Sequence, residues 1–316
     1  MPNRSVCPRP PALVALVGPT AVGKSDFALR LAARFPLEIV NADSRQVYVH
    51  MDIGTSKPTP AELARAPHHV FDIVDPDQDF SLSDYLRHAR AAVGDVISRG
   101  RIPLVVGGSG QYVWSLLEGW QVPEVPPDNE FRREMEQRAV SCGPVSLHEE
   151  LARIDADAAY RIRPTNVRRV IRALELHHAT GELPSVLLRR RSDASFRTLV
   201  IGLSLDRTLL FARVDARIDT MMNLGFPDEV RKLLGMGYGP SLPAMSSIGY
   251  REMVAFVTGA IDVATAVSRV RHETRRLVRR QHAWFRPSDE RIQWLDVTEP
   301  GTALARAMEA IEGAMT

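Results

Sequence analysis

Ala12-Leu-Val-Ala-Leu-Val-Gly18-Pro-Thr20-Ala21-Val22-Gly23-Lys24-Ser25-Asp-Phe27-Ala-Leu-Arg-Leu-Ala32 decides how this chain folds. Ala12 to Val17 is a short apolar run that stops at Gly18 and reads as a buried strand. From Ser25 to Phe35 the apolar residues Phe27, Ala28, Leu31 and Ala32 recur at the helical period. Between strand and helix lies the pattern G-x-x-x-x-G-K-[ST], running from Gly18 to Ser25. Glycines let a backbone wrap closely round an anion, and successive N–H groups at the helix N-terminus point at it. Lys24 adds a point charge, and the Ser25 hydroxyl is placed to ligate Mg2+ beside a bound phosphate. The strand before and the helix after set this pattern apart from a Gly-rich turn carrying an exposed lysine.

The flanking segments continue the alternation. Leu37 to Ala42 reads as the next strand and His69 to Val74 as another. Leu82 to Ser98 reads as a helix with Leu86, Ala89 and Val93 on one face, and Ile102 to Val106 as a buried strand closed by Gly107-Gly108-Ser109-Gly110. Strands alternating with helices predict an α/β fold with a parallel sheet and helices on both faces. After Gly119 the texture changes. Gln121 to Asp128 is rich in proline and acid and marks a boundary; Asn129 to about Thr180 is helical and rich in arginine. Strand character returns at Thr198 to Leu205. Helical patterns over 207–224, 228–236 and 264–285 follow, then a strand over 291–297 and a closing helix over 303–314. The expected organisation is an α/β core over 12–118 and 198–316, interrupted by a helical insertion domain over 119–197, behind a Pro-rich flexible tail from Met1 to Pro11.

The chain has 316 residues, 45% of them hydrophobic, enough for a large core. No apolar run approaches the ~18 residues of a membrane span, and the tail lacks the apolar stretch of a secretory signal. Its two cysteines, Cys7 and Cys142, have no metal-ligand spacing and make no disulfide framework, so a reducing cytoplasm is the expected compartment. The net charge of +2 neither favours nor excludes nucleic acid; local clustering decides that.

Asp43 stands where the second strand ends, in Asn41-Ala-Asp43-Ser44-Arg45-Gln46-Val-Tyr48. Ligands of open α/β sheets sit at the carboxyl ends of strands, so Asp43 reads as a metal-positioning acid or a general base. An ATP-using enzyme with this loop normally ends a later apolar strand on a second metal-holding acid. Here Leu104-Val-Val106 runs instead into Gly107-Gly108, which argues against ATP.

Arginine is clustered twice. Arg161, Arg163, Arg168, Arg169 and Arg172 crowd the insertion, and Arg275, Arg276, Arg279, Arg280 and Arg286 crowd a stretch near the C-terminus. Arg275 with Arg279, and Arg276 with Arg280, form i,i+4 stripes whose repulsion a bound polyanion would relieve. Arg213 and Arg217 make another such pair, open to a functional reading or to salt bridges with Asp215 and Asp219.

Taken in order, these strings resemble the tRNA dimethylallyltransferase (tRNA isopentenyltransferase) family. They are Gly18 to Ser25, Asn41 to Tyr48, Met51-Asp-Ile-Gly-Thr-Ser-Lys-Pro58, Val106-Gly-Gly-Ser-Gly-Gln-Tyr112 and Asn166 to Leu176. Leu224-Gly-Phe226, Ile248-Gly-Tyr-Arg-Glu252 and Arg279-Arg-Gln-His-Ala-Trp-Phe-Arg286 follow. The resemblance implies a P-loop NTPase-like parallel sheet flanked by helices, with the helical insertion contacting tRNA. It implies transfer of a dimethylallyl group from dimethylallyl diphosphate, with Mg2+, to N6 of the adenosine just 3′ of the anticodon in tRNAs reading codons that start with U. Gly18, Thr20, Ala21, Val22, Gly23, Lys24 and Ser25 then hold the diphosphate, Ser25 with the metal, and Arg217 binds the same group. Asp43 is the base that takes the N6 proton, and Asp43, Lys24 and Arg217 form the implied catalytic set. Ser44, Arg45, Gln46 and Ser109 face the target nucleotide. Arg132, Arg168, Arg169, Arg172, Ser246, Gly249, Tyr250, Arg251, Arg279, Arg280, Gln281, Trp284 and Arg286 match tRNA-contacting positions along the anticodon stem-loop. Ser109 replaces a frequent threonine, Asn166-Val-Arg168 a more usual Asn-Asp-x-Gln, and Ser246 a common Gln or Arg. No membrane and no obligate protein partner are expected, and a monomer suffices for the chemistry. The alternatives are an adenylate isopentenyltransferase acting on free AMP, ADP or ATP, and a P-loop small-molecule kinase or nucleotide-binding regulatory module.

Overall fold

The computed structural model describes residues 12–189 and 196–315. The expected tail and Cys7 lie outside the described residues. Two compact units divide the chain, Met1–Leu117 with Ala194–Thr316, and Glu118–Asp193.

The first unit opens with β1 (Ala12–Val17), α1 (Lys24–Ala32), β2 (Leu37–Asn41), α2 (Pro60–Leu63), β3 (His68–His69), α3 (Leu82–Ser98), β4 (Ile102–Gly107) and α4 (Gly110–Leu117). The second unit holds α5 (Asn129–Cys142), α6 (Pro144–Ile154), α7 (Ala156–Arg161), α8 (Val167–Thr180) and α9 (Pro184–Leu187). The chain returns through β5 (Arg197–Ser204), α10 (Arg207–Asn223), α11 (Phe226–Gly235), α12 (Tyr250–Val257), α13 (Val263–Trp284), β6 (Ile292–Asp296) and α14 (Pro300–Met315).

The six strands form one sheet in the order β3-β2-β4-β1-β5-β6, with every named pair parallel. Val14 of β1 stands between Leu104 of β4 and Leu199 of β5, and Leu104 also pairs with Ile39 of β2. A parallel sheet covered on both faces selects unbroken apolar strands, and β2 and β4 are buried along their whole length. α3 presses Tyr85, Leu86, Ala89, Val93 and Val96 inward. Its start is fixed by a capping box in which Ser81 and Asp84 satisfy each other's backbone N–H groups.

The expected strand over 69–74 shrinks to His68–His69. Val70 (φ 66°) and Asp72 (φ 50°) turn the backbone into the left-handed region, which no ladder accommodates. The expected helix over 25–35 ends at Ala32, short of the turn that Pro36 requires.

The second unit has its own core, including Met135, Leu147, Leu151, Val170, Ile171 and Leu174. Three of its helices, α5, α7 and α8, start on side-chain caps at Asp128, Asp155 and Asn166. Among the described residues no helix is long and apolar enough to cross a membrane.

Candidate active site

β1 delivers Gly18 to the carboxyl edge of the sheet, and the chain curls through Pro19 to Gly23 before α1 begins. Ala21 (φ 65°) and Gly23 (φ 102°) take left-handed backbone here. α1 has Gly23 at its N-cap position and no side chain capping it, whereas α3, α5, α8, α10 and α13 all carry one. The first N–H groups of α1 therefore remain available to an anion. Lys24 Nζ folds back to donate to the carbonyls of Gly18 (3.0 Å) and Pro19 (2.8 Å). Burial lowers its pKa from 10.5 to about 8; Asp43 opposes that shift and Arg217 adds to it. Ser25 stands exposed in the first turn of α1.

Asp43 follows β2 and is held by its neighbours. Its N–H donates to Asn41 Oδ1 (2.8 Å), and its Oδ1 accepts from the Arg45 N–H (2.9 Å). Buried Asn41 also donates from Nδ2 to the carbonyls of Asp43 (3.1 Å) and Val70 (3.0 Å), so one amide sets the whole turn. The β4 end approaches from the side. Ser109 N–H donates to Ala42 O (3.2 Å), and Ser109 Oγ accepts from the Ser44 N–H (3.1 Å). A Cβ on Gly107 would lie 2.1 Å from Ala42 O, so the close approach of the two strand ends requires glycine.

Arg217 comes from α10. Its salt-bridge alternative does not form: Asp215 pairs with Arg275 (2.5 Å) and Asp219 with Arg271 (2.5 Å). Arg217 Nε instead donates to Ser56 Oγ (2.9 Å), with a longer contact from Nη2 to Thr55 O (3.5 Å). Burial lowers its pKa, and the charge of Asp43 counters that shift. Lys24, Asp43 and Arg217 thus feel one another's charge, although they come from three separate parts of the chain. Gln46 donates to the carbonyls of Thr55 (3.1 Å) and Ser56 (2.9 Å), facing the same loop as Arg217.

The positions expected at tRNA fall into two groups. Arg168, Arg169, Ser246, Arg279, Arg280, Trp284 and Arg286 are exposed. Arg279 and Arg280 have no ion-pair partner among the described residues. Others are engaged internally. Arg132 and Arg172 both bind the buried Glu175 carboxylate (2.8 and 2.5 Å). Burial pushes that carboxyl up, but the arginine hydrogen bonds outweigh it and hold the group below its usual range. Arg251 pairs with Glu252, Arg275 with Asp215 and Arg276 with Glu273. Gly249 and Tyr250 are buried. Gln281 is buried too: its Oε1 accepts from the Thr20 N–H (2.8 Å) and its Nε2 donates to Gly108 O (3.1 Å). It thereby ties α13 to the phosphate loop.

Glu229 of α11 lies three residues beyond Leu224-Gly-Phe226 and carries no motif of its own. Its carboxylate accepts from the backbone N–H groups of Asp52 (2.9 Å), Ile53 (2.7 Å) and Gly54 (3.2 Å), and from the Tyr250 hydroxyl (2.7 Å). The signal available was the Met51 to Pro58 string, which needed something to hold it.

No group of three or more His, Cys, Asp or Glu side chains among the described residues is placed to hold a metal ion. A Mg2+ carried by a diphosphate asks for less: one or two protein oxygens, with phosphate oxygens and waters completing the octahedron. The exposed Ser25 hydroxyl beside the uncapped start of α1 fits that donor set.

A six-stranded parallel sheet with this loop at the edge of β1 is a P-loop NTPase-like α/β fold. The chain belongs to the IPP transferase family, whose model matches residues 46–288. A second model, isopentenyl transferase, matches residues 11–71. The tRNA dimethylallyltransferase of Chloroflexus aggregans is 52% identical over 274 residues, covering 87% of this chain and 92% of the relative. That of Thermomicrobium roseum is 46% identical over 289 residues, covering 92% and 87%. The full-length tRNA isopentenylpyrophosphate transferase of Bacillus halodurans aligns with a TM-score of 0.72 at 35% identity, over 97% of each chain. A eukaryotic dimethylallyltransferase captured acting on tRNA aligns at 0.81 and 28% identity, covering 94% of this chain and 78% of its own.

Proposed function

We propose that this protein transfers the dimethylallyl group of dimethylallyl diphosphate to N6 of the adenosine 3′ of the anticodon, in tRNAs reading codons that start with U. The observation that carries the reading is the likeness to tRNA dimethylallyltransferases at about half identity over most of the chain. The assembly of loop, acid and arginine at one sheet edge supports it.

In the reaction the bond between C1 of the dimethylallyl group and the diphosphate oxygen breaks, the N6 lone pair forms the new C–N bond, and one N6 proton is released. The exocyclic amine is a weak nucleophile, so a carboxylate placed to take its proton raises the rate. Asp43 does this, held by Asn41 and the Arg45 N–H. The departing diphosphate gains charge as the C–O bond lengthens, and donors already aimed at it favour that state. Lys24, the first N–H groups of α1 and the half-buried Arg217 supply them. Ser25 would hold a Mg2+ ion, which when bound neutralises part of the diphosphate charge. The target adenine leaves the anticodon-loop stack to reach Asp43, with Ser44, Arg45, Gln46 and Ser109 beside it. The exposed arginines of α8 and α13 meet tRNA phosphates. One chain supplies every one of these groups, so a monomer suffices for the chemistry, carried out in the cytoplasm with its tRNA.

Incubation with dimethylallyl diphosphate, Mg2+ and either unmodified tRNA or free AMP, ADP and ATP tests the reading. The expected outcome is N6-dimethylallyladenosine at one position of tRNA, diphosphate released and free nucleotides untouched. Prenylation of the free nucleotide instead would refute it. Asp43→Ala is expected to lower kcat by about 10²–10⁴-fold without unfolding the chain.

A further inference from the structure

The loop from Met51 to Lys57 makes none of the contacts with substrate assigned above, yet it is held at both ends. On one side the Glu229 carboxylate accepts three successive backbone N–H groups, Asp52, Ile53 and Gly54, and also the Tyr250 hydroxyl. Gly54 packs so tightly on Phe226 and Tyr250 that a Cβ would lie 2.3 Å from the Phe226 ring. Phe226 and Tyr250 themselves meet edge to face, with ring centres 5.0 Å apart. On the other side the loop presents Ser56 Oγ to Arg217 Nε, and the carbonyls of Thr55 and Ser56 to Gln46. A guanidinium is planar, so fixing Nε fixes the direction of the remaining N–H groups. Arg217 is half-buried, and the protein partners in reach of its fork are the loop atoms at Ser56 and Thr55.

We infer that Glu229 is a positioning residue for the transfer reaction: by anchoring the 52–54 backbone it holds Ser56 where it aims Arg217 at the leaving diphosphate. Tyr250 belongs to the same clamp, with its hydroxyl spent on Glu229. The inference deepens the proposed function and rests on it.

Wild-type turnover with tRNA and dimethylallyl diphosphate is measured first, since its failure sinks the transfer reading and not the clamp. Glu229→Gln keeps the shape and loses the charge. It is expected to raise KM for dimethylallyl diphosphate and Ki for inorganic diphosphate by about tenfold, while the Kd for tRNA stays within about twofold. Arg217→Lys alone weakens diphosphate binding. In that background Glu229→Gln is expected to add less than about twofold, because both changes act through one contact. Tyr250→Phe, which removes a single hydroxyl and keeps the packing, is expected to shift the same constants by a few-fold in the same direction. It keeps the inference testable if Glu229→Gln folds poorly. Full multiplication of the Glu229→Gln and Arg217→Lys effects, or an unchanged Ki for diphosphate in Glu229→Gln and Tyr250→Phe, overturns it.

Discussion

Gly107→Ala tests the assignment of Asp43 without touching a reacting group. The new Cβ would lie 2.1 Å from Ala42 O, about 1.3 Å short of ordinary contact at 3.4 Å. The obstacle is backbone and is tied on both sides. Ala42 N–H donates to Val106 O (2.8 Å), and Ala42 O accepts from Ser109 N–H (3.2 Å). No side chain can swing aside, so the ends of β2 and β4 must part by roughly an ångström. Asp43 is the next residue, and its carboxylate moves with Ala42. A misplacement of about 1 Å costs roughly 10²-fold in rate, so kcat is expected to fall by that factor. Overpacking costs about 1–3 kcal/mol, which lowers the melting temperature by several degrees and leaves the chain folded. Gly108→Ala is the control. Its Cβ would meet Gln281 Nε2 at 2.3 Å, the far end of a side chain that can shift. Gln281 also holds the Thr20 N–H, so this variant is expected to raise KM for dimethylallyl diphosphate more than it lowers kcat. Single-turnover formation of modified nucleoside, read by mass spectrometry, gives the rate. A folded Gly107→Ala protein with kcat within about threefold of wild type refutes the reasoning.

Three further outcomes follow from the geometry. The ammonium of Lys24 is the charged form of a group whose pKa is lowered to about 8, so its charge is lost as pH rises through that value. The competent fraction falls from about nine-tenths at pH 7 to about one-tenth at pH 9, so kcat/KM for dimethylallyl diphosphate is expected to drop roughly tenfold. Lys24→Arg should flatten that limb, and a wild-type profile level to pH 10 would count against it. Arg279→Ala with Arg280→Ala is expected to make the salt dependence of tRNA binding shallower by about 0.7–0.9 per lost phosphate contact; an unchanged slope removes these residues from the interface. Glu175→Gln leaves Arg132 and Arg172 without their counter-charge. Because both arginines are about a third exposed, the expected cost is about 1–3 kcal/mol rather than that of a fully buried pair, read as lost hydrogen-exchange protection in α8. Wild-type protection there would show the cluster to be dispensable.

Much of the fold was legible because its signals are local. The Ala12–Val17 strand, the glycine loop and α1 are contiguous, and α3 over Leu82–Ser98 shows both its capping box and its apolar face within one segment. The His69 to Val74 strand failed for the complementary reason. Its composition suits a strand, but positive φ at Val70 and Asp72 answers to tertiary demands, among them the bond from Asn41 to Val70 O. The basic clusters were visible as charge, yet charge along a chain does not say which arginines are spent. Arg132, Arg172, Arg251, Arg275 and Arg276 are paired within the protein, while Arg279 and Arg280 are left exposed.

A glycine loop of phosphate-binding pattern at the head of α1, an acid after β2 and the family to which both belong can be read from the order of residues alone. The tertiary structure alone decided how those pieces are aimed. Arg217 reaches Ser56 across 161 residues, Gln281 reaches the Thr20 N–H across 261, and Glu229 holds Gly54 across 175. Hydrogen bonds between such distant residues leave no periodicity in a sequence. They exist only once the sheet and its helices have brought the partners within 3.5 Å of one another.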